Sequence, residues 1–244
     1  MSIEERFFNV DGQWNVIHLP KKPSGFGVMI LGDLNHFVDE KTSLWKQNER
    51  LWLIQHLRNR GYTCFYSNLY GRNWGSPKAI TLAKRLYHHV IKSEILNPKI
   101  HLLAEGMGAL VALKLMEEMQ GNIRSCLLIN PCLDLKGHFY QMKLNRLFYK
   151  QTVKEIGAAY GIANKNVEPF VETLADLSAY QSAVPVKIWH AASGVQFPFK
   201  VHSRKYEEIR YHLHAPIELS IHLPEKRLSL GNITDFYKLY EKEV

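Results

Sequence analysis

The chain has 244 residues, of which 46% are hydrophobic and 22% are charged, and its formal net charge is +8. This length and balance fit one large core in a single domain over residues 1–244, and they exclude global disorder. The amino-terminal segment carries Glu4 and Glu5 without a long apolar run, and no stretch is apolar enough to span a bilayer. We therefore expect a protein that is neither exported nor inserted in a membrane.

The cysteines and the charge limit the expected cofactors and partners. The three cysteines lie in or just after short apolar runs and have no paired spacing; they are Cys64, Cys126 and Cys132. An odd number in such places predicts reduced, buried thiols in the cytoplasm, with no metal and no other cofactor. The positive charge is scattered and accompanies no nucleic-acid-binding motif, so we expect no nucleic-acid partner.

The first part of the chain alternates short apolar runs with a helical pattern. Residues 7–19 form a predicted hairpin around an Asp-Gly turn. Residues 27–31 are apolar and form a predicted buried strand, and residues 63–67 form the next predicted strand. Between those two strands, residues 44–60 have apolar side chains at helical spacing. Gly61 follows them, which is typical of a helix end.

A second helix and two further strands follow. Ser76 and Pro77 are a typical helix start. After this helix comes a short apolar strand at 100–104, then a tight turn and a helix that we expect to stop at Gly121. Residues 125–130 are the next predicted strand.

Residues 136–183 interrupt the alternation, since they are rich in helical patterns and carry no strand signal. The remaining elements are two strands at 186–190 and 217–222, and two helices at 199–214 and 233–242, the last capped by Asn232. Eight strands with helices between most of them predict a three-layer α/β/α sandwich around a mostly parallel eight-stranded sheet. The 136–183 stretch predicts a helical lid inserted above the carboxyl ends of the strands.

The turn after the strand at 100–104 reads Ala104-Glu105-Gly106-Met107-Gly108. A strand, a sharp turn and a helix in that order are the setting of the nucleophile elbow, small-x-Ser-x-Gly. Gly106 holds the place of the serine, so the chain has the turn without the hydroxyl. Glycine adopts the strained backbone of such a turn without a Cβ clash, which relieves about 1–3 kcal/mol.

Four segments in the same order make the chain resemble the α/β-hydrolase superfamily. Residues 31–34 are similar to the glycine turn that lends a backbone N–H to the family's oxyanion hole. Residues 61–76 are similar to the family's glycine-rich run, with Asn68 where an aspartate is usual. The turn at 104–108 resembles the nucleophile elbow, and residues 183–190 resemble the strand before the catalytic acid.

The resemblance implies a serine, a histidine and a carboxylate in fixed places, and none of the three places holds the expected residue. Gly106 stands at the nucleophile position. The acid is expected near Gly194, where residues 191–195 contain no carboxylate, and the base is expected in the loop 224–231, which contains no histidine. Three vacancies together predict a lost catalytic mechanism.

Some binding groups survive the loss of these side chains. The backbone N–H of Met107, together with one near Asp33 or Leu34, forms a predicted oxyanion-like pocket flanked by Glu105. Three further residues are candidates for lining that pocket, although a packed structural role is the simpler interpretation of each histidine; they are His36, His190 and Ser193.

The lid sequence also carries a basic stripe at helical spacing, formed by Lys143, Arg146, Lys150 and Lys154, with Leu144, Leu147 and Phe148 as an apolar counterpart. Such a segment can contact an anionic surface or a partner groove. The simpler interpretation, which we favour at this stage, is a lid helix with its apolar side on the pocket and its lysines in water.

The sequence therefore predicts a protein of this fold that has lost its triad and binds a small acyl-like ligand or a protein partner. One alternative is an active esterase or thioesterase whose catalytic residues are atypical or lie elsewhere. A second alternative is a scaffold that acts through its basic lid.

Overall fold

The computed structural model describes residues 4–46, 50–223 and 230–241. One eight-stranded sheet runs through the molecule, with the strands in the order β1-β2-β4-β3-β5-β6-β7-β8. The strands are β1 Glu5–Val10, β2 Gln13–His18, β3 Gly27–Leu31, β4 Thr63–Ser67, β5 Ile100–Glu105, β6 Ile123–Ile129, β7 Val186–Ala191 and β8 Ile217–His222. All eight predicted strands are confirmed.

Most of the sheet is parallel. β1 and β2 pair antiparallel, β2 pairs antiparallel with β4, and every later pairing is parallel. Every residue of β3 and of β4 is buried, because central parallel strands are covered on both faces. The carboxyl ends of β3 to β8 therefore meet at one edge of the sheet, which is the edge that carries the candidate site.

Helices cover both faces of the sheet. They are α1 Leu51–Asn59, α2 Pro77–Ser93, α3 Gly108–Glu118, α4 Leu135–Met142, α5 Arg146–Tyr160, α6 Val167–Glu172, α7 Ser203–His212 and α8 Leu230–Leu239. Leu82 of α2, Val111 of α3 and Tyr206 of α7 lie in the core on one face. Leu53 of α1 and Phe236 of α8 lie in the core on the other. The predicted three-layer sandwich is confirmed.

A buried arginine ties α7 to the sheet. The Arg210 guanidinium donates hydrogen bonds to the carbonyl oxygens of Ser182 at 3.1 Å, Val184 at 2.6 Å and Pro216 at 2.8 Å. These carbonyls precede β7 and β8, where the chain enters the sheet. Arg210 thus supplies donors to the carbonyls of Ser182 and Val184, and it adds a second donor to the Pro216 carbonyl, which also accepts from the Val186 N–H.

Several helix boundaries differ from the prediction. The predicted helix at 44–60 is a 3₁₀ turn at Leu44–Lys46 followed by α1, with 47–49 outside the described residues. α7 begins at Ser203 rather than at 199, because the chain still turns after Pro198. α8 begins at Leu230, so Asn232 lies inside the helix and does not cap it.

The segment between β6 and β7 contains α4, α5 and α6 and packs over the carboxyl edge of the sheet. Its core residues Phe139 and Ile156 join Trp74, which follows β4, and Met107, which follows β5. The Trp74 indole N–H donates to Glu155 Oε2 at 3.1 Å. Trp74, which lies outside this segment, therefore fixes the segment to the rest of the molecule by packing and by a hydrogen bond.

The apolar residues beside the basic stripe, Leu144, Leu147 and Phe148, do not face the core. Leu144 is 89% exposed, Leu147 77% and Phe148 60%, which corrects the favoured interpretation of a lid helix with these residues on the pocket. The helix period gives the reason: Ile156 and Ala159 turn one face of α5 inward, and Leu147 lies on roughly the opposite side.

Candidate functional site

The turn between β5 and α3 has the expected strand, turn and helix geometry. Gly106 has a φ of +50°, a left-handed conformation that side-chain-bearing residues rarely adopt. Its N–H donates to Ile129 O at 3.0 Å, and its carbonyl accepts from the Cys132 N–H at 2.8 Å. The turn is thereby fixed to the end of β6 and the loop that follows.

The side chain of Asp33 occupies the space beside Gly106. The Met107 N–H donates to Asp33 Oδ1 at 2.8 Å. A Cβ placed on Gly106 would lie closer than 3.0 Å to the Asp33 carboxyl atoms, inside van der Waals contact. The backbone donor that the sequence analysis assigned to a ligand is therefore taken by the protein's own carboxylate.

Gly108, the first residue of α3, lets the helix lie close to the turn after β3 and so makes this contact possible. A Cβ at Gly108 would overlap the backbone carbonyls of Leu31 and Gly32, so α3 approaches the β3 turn more closely than any other residue type would allow. Burial raises the pKa of the Asp33 carboxyl above its usual value, while hydrogen bonds from Met107 and Leu34 oppose the rise. The close approach thus places a carboxyl group directly on the amide at the start of α3.

Glu105 is engaged elsewhere. The Arg50 guanidinium donates to it through two nitrogens, at 3.0 Å and 2.5 Å. A bidentate pair of this kind fixes the position of the carboxylate. Glu105 therefore belongs to an ion pair beside the turn and is not an isolated charge facing a ligand.

His36 is a packed side chain and not a free pocket group. Its ring is buried, its Nε2 lies 2.9 Å from Ser67 O, and its edge contacts the Tyr66 ring with centroids 5.6 Å apart. Burial lowers the pKa of His36 to about 4, so the ring is neutral at neutral pH. Leu34, two residues earlier, is half-buried and packs against the core beneath α4 and α5.

His190 is paired with a serine that the sequence analysis did not consider. His190 lies in β7, and its Nδ1 is 2.6 Å from the hydroxyl oxygen of Ser203, the first residue of α7. Both side chains are fully buried, and burial lowers the pKa of His190 to about 4. A hydroxyl bonded to an imidazole is half of a nucleophile–base arrangement, but this pair has no surface that a substrate would reach.

Ser193 and Gly194 lie apart from these groups. Both are exposed in the loop after β7, while the Gly106 turn follows β5, two strands away in the sheet. Neighbouring strands are about 4.8 Å apart, so the two loops begin about 10 Å from each other. The structure brings Asp33, Gly106 and Met107 together and leaves Ser193 outside that group.

A buried histidine pair, which no sequence motif predicted, joins α4 to the start of α7. His202 Nδ1 accepts hydrogen bonds from the backbone N–H groups of Leu133 and Asp134, each at 3.2 Å. The His138 ring stacks on Trp74 with centroids 5.3 Å apart, and it lies 6.2 Å from the His202 ring. The only local sequence signal is the spacing from Asp134 to His138 on one helix, since His202 arrives from a distant element.

Both histidines of this pair are neutral at neutral pH, so neither acts as the positive member of an ion pair. Burial lowers the pKa of His138 to about 4 and that of His202 to about 3. Neither ring nitrogen of His138 has a hydrogen-bond partner among the described residues. Within the same ranges, no three His, Cys, Asp or Glu side chains come together as a metal-binding group.

The thiol nearest to the turn is inert. Cys132 is fully buried, and burial raises its pKa well above the usual value, with the charges of Asp33 and Asp134 adding to the rise. A thiol acts as a nucleophile only as the thiolate. Cys132 therefore does not replace the missing serine at neutral pH.

The base position of the resemblance falls on the loop 224–231, of which 224–229 lie outside the described residues. The histidine next to this loop is His222, the last residue of β8. Its ring stacks on Trp189 with centroids 4.8 Å apart. β8 is three strands from β5, which corresponds to about 14 Å, so His222 does not reach the Gly106 turn.

A cavity of about 60 Å³ lies between α3 and the segment above it. Its walls include Trp74, Leu110, Asp134, Lys136 and Tyr160. Binding sites for small molecules are usually about 300–1,000 Å³, so this space holds a few water molecules and no acyl chain.

Comparisons with known proteins identify the fold. A lipase/esterase from Lactobacillus plantarum matches with a TM-score of 0.66 over 98% of each chain at 12% identity. Est1E from Butyrivibrio proteoclasticus matches with a TM-score of 0.64 over 97% of each chain at 12% identity. An acylaminoacyl peptidase from Pyrococcus horikoshii reaches 0.71, also at 12% identity, over 99% of this chain and 42% of that chain. No protein-family model and no curated protein matches the sequence.

These matches show that the chain has the α/β-hydrolase fold, as its four motifs predicted. At 12% identity the likeness concerns the fold alone, and the activities of those proteins are not thereby those of this chain. No helix among the described residues is long and apolar enough to cross a bilayer.

Proposed function

We propose that this protein does not hydrolyse esters and that it acts by binding, with the hydrolase fold retained as a scaffold. The observation that carries the proposal is the Asp33 carboxyl, which accepts the Met107 N–H and fills the space where a side chain at 106 would stand. A loss of the Ser-His-Asp triad accounts for this arrangement, since the turn survives and the reactive groups do not.

Electrostatics support the same proposal. Acyl transfer develops negative charge on the carbonyl oxygen, and hydrolases stabilise that charge with free backbone donors. Here the donor of Met107 is already bonded to the Asp33 carboxyl. An oxyanion at this place would meet the Asp33 carboxyl and no free amide from Met107.

The packing favours a surface over an interior pocket as the binding element. The cavity beside α3 is about 60 Å³, which is too small for the acyl-like ligand considered from the sequence. A protein or another extended surface needs no such cavity. We propose in addition that residues 136–183 act as a fixed cover over the turn, and that the three free, buried cysteines reflect a cytoplasmic location.

The experiment is an assay with p-nitrophenyl acetate and butyrate, together with labelling by a fluorophosphonate probe. We expect turnover and labelling at the level of buffer. The informative variant is Asp33→Ala with Gly106→Ser, which removes the carboxyl and supplies a hydroxyl. It should stay inactive, because residues 191–195 hold no carboxylate and residues 224–231 no histidine.

The alternative of an active hydrolase rests on the Ser203–His190 hydrogen bond of 2.6 Å. If that pair were catalytic, the wild-type protein would turn over the esters, and Ser203→Ala would abolish the turnover. Ser193→Ala is the matched control, since Ser193 is an exposed serine outside the pair. Turnover that depends on Ser203 and not on Ser193 would refute the proposal of a non-hydrolytic protein.

A further inference from the structure

The corner between α4 and α5 presents an apolar tip to the solvent. The tip consists of Leu144, Leu147 and Phe148, which are 89%, 77% and 60% exposed. Three large apolar side chains within five residues are unusual on a protein surface, where exposed apolar residues are normally scattered. Such a cluster indicates a surface that is covered in use.

The apolar tip is held in place. Asn145 caps α5, and its side-chain oxygen accepts from the N–H groups of Leu147 at 3.1 Å and Phe148 at 3.4 Å. Behind the tip, the Tyr149 ring packs on Phe139 with centroids 5.4 Å apart, and its hydroxyl donates to Glu168 at 2.9 Å. The tip therefore projects from a packed helix and needs no folding step before it binds.

A basic stripe continues from the tip along α5. Arg146, Lys150 and Lys154 stand four residues apart, so they share one face over about 12 Å, and all three are exposed. Among the described residues no carboxylate forms an ion pair with any of them. Residues 136–154 contain five Lys and Arg and no Asp or Glu. Lys143, the fourth member of the predicted basic stripe, forms an ion pair with Glu168, so the positive charge of the stripe rests on the other three residues.

We propose that this corner binds the surface of an anionic phospholipid membrane, with the apolar tip inserted among the acyl chains and the basic stripe on the headgroups. An apolar end flanked by lysines is the arrangement that lies in a membrane interface. Charge complementarity selects an anionic lipid surface over a neutral one or a second copy, since two copies would bring their basic stripes together. The proposal holds whether or not the protein is an enzyme.

Sedimentation with sucrose-loaded vesicles tests the proposal on the full chain. Vesicles of phosphatidylcholine alone are compared with vesicles that contain about 30 mol% phosphatidylglycerol. We expect binding to the anionic vesicles only, and a loss of most of it as NaCl rises from about 0.05 to 0.5 M. Absence of binding to the anionic vesicles at low salt would overturn the proposal.

The basic stripe is tested with Lys150→Glu plus Lys154→Glu. The matched control is Lys21→Glu plus Lys22→Glu, which changes the net charge equally at two exposed lysines elsewhere. Each lysine removed from a membrane-facing site lowers the partition coefficient about fivefold, so the stripe variant should bind at least about 20-fold more weakly. An equal loss in the control would mean that net charge alone drives binding, and the proposal would fail.

The apolar tip is tested with Leu147→Ser plus Phe148→Ser. The control is Ile95→Ser plus Leu223→Ser, at residues that are 99% and 68% exposed. We expect at least a tenfold loss of anionic-vesicle binding for the tip variant and none for the control, consistent with buried apolar area. Phe148→Trp should show a blue shift of its fluorescence with anionic vesicles.

Self-association or a protein groove would give other results. If the wild-type protein were a dimer in size-exclusion chromatography and the tip variant a monomer, the tip would be a contact between copies and the membrane proposal would be wrong. The ester assay has a separate outcome: hydrolysis would refute the non-catalytic proposal and leave the vesicle result unaffected.

Discussion

The contact between Asp33 and Gly106 yields a quantitative prediction for Gly106→Ala. The new Cβ would overlap the Asp33 carboxyl, so the carboxyl has to move off the Met107 N–H. A hydrogen bond to a charged group contributes about 1.5–3 kcal/mol. The positive φ of +50° adds about 1–2 kcal/mol for a residue with a Cβ. The variant should lose about 2.5–5 kcal/mol of unfolding free energy in total.

A double-mutant cycle separates these two contributions. Asp33→Ala alone should cost about 1–2 kcal/mol, because it leaves the Met107 amide without its partner but also removes a partly buried charge. In the Asp33→Ala background the carboxyl is gone, and Gly106→Ala should cost only the backbone strain of about 1–2 kcal/mol. The coupling energy should therefore be about 2 kcal/mol.

The measurement is guanidinium chloride unfolding at pH 7, followed by tryptophan fluorescence and circular dichroism. Gly71→Ala is the control for backbone strain, since Gly71 has a φ of +66° and open space where its Cβ would be. It should lose about 1 kcal/mol. If Gly106→Ala costs the same with and without Asp33, to within about 0.5 kcal/mol, the proposed overlap does not exist.

Three further predictions concern buried groups. The pKa of His138 is about 4 in the folded protein against 6.5 in the unfolded chain, so between these pH values unfolding takes up a proton. The free energy of unfolding is therefore highest above about pH 6.5 and falls as the pH is lowered to about 4. His138→Phe should remove up to about 3 kcal/mol of that loss in urea unfolding, and an unchanged pH slope would contradict the assignment. Arg210→Met should cost about 2–4 kcal/mol by leaving the Ser182 and Val184 carbonyls unpaired, with Arg204→Met as the exposed control. Ellman's reagent should label no thiol in the native protein and three after denaturation, since every cysteine is buried; rapid native labelling would be inconsistent with this packing.

The fold was predictable because its signals are local. The run at 27–31 is short and apolar and is followed by Gly32, so it could be assigned as a buried strand with its observed boundaries. The strand–turn–helix at 100–118 follows from a short apolar run, two glycines and a helical pattern. Helix starts were harder, as Asn232 illustrates, because a capping residue inside a helix looks the same in sequence as one at its end.

The details of the candidate site depend on contacts between distant parts of the chain. Asp33 could be placed near Gly106 by the resemblance, but nothing local indicates that its carboxyl accepts the Met107 amide. The stacking of His138 on Trp74 and the hydrogen bond between His190 and Ser203 also join residues that are far apart in the sequence. Each requires the packed structure, since each joins separate elements.

The way in which Asp33 and Gly106 fit each other also restricts the order of mutational steps open to this chain. If position 106 first gains a side chain, that side chain overlaps the Asp33 carboxyl. If Asp33 is lost first, the Met107 N–H loses its hydrogen-bond acceptor. We expect either intermediate to be less stable than the starting protein. Single changes at either position are therefore disfavoured. A designer who wishes to place a serine at position 106 should replace Gly106 and Asp33 together.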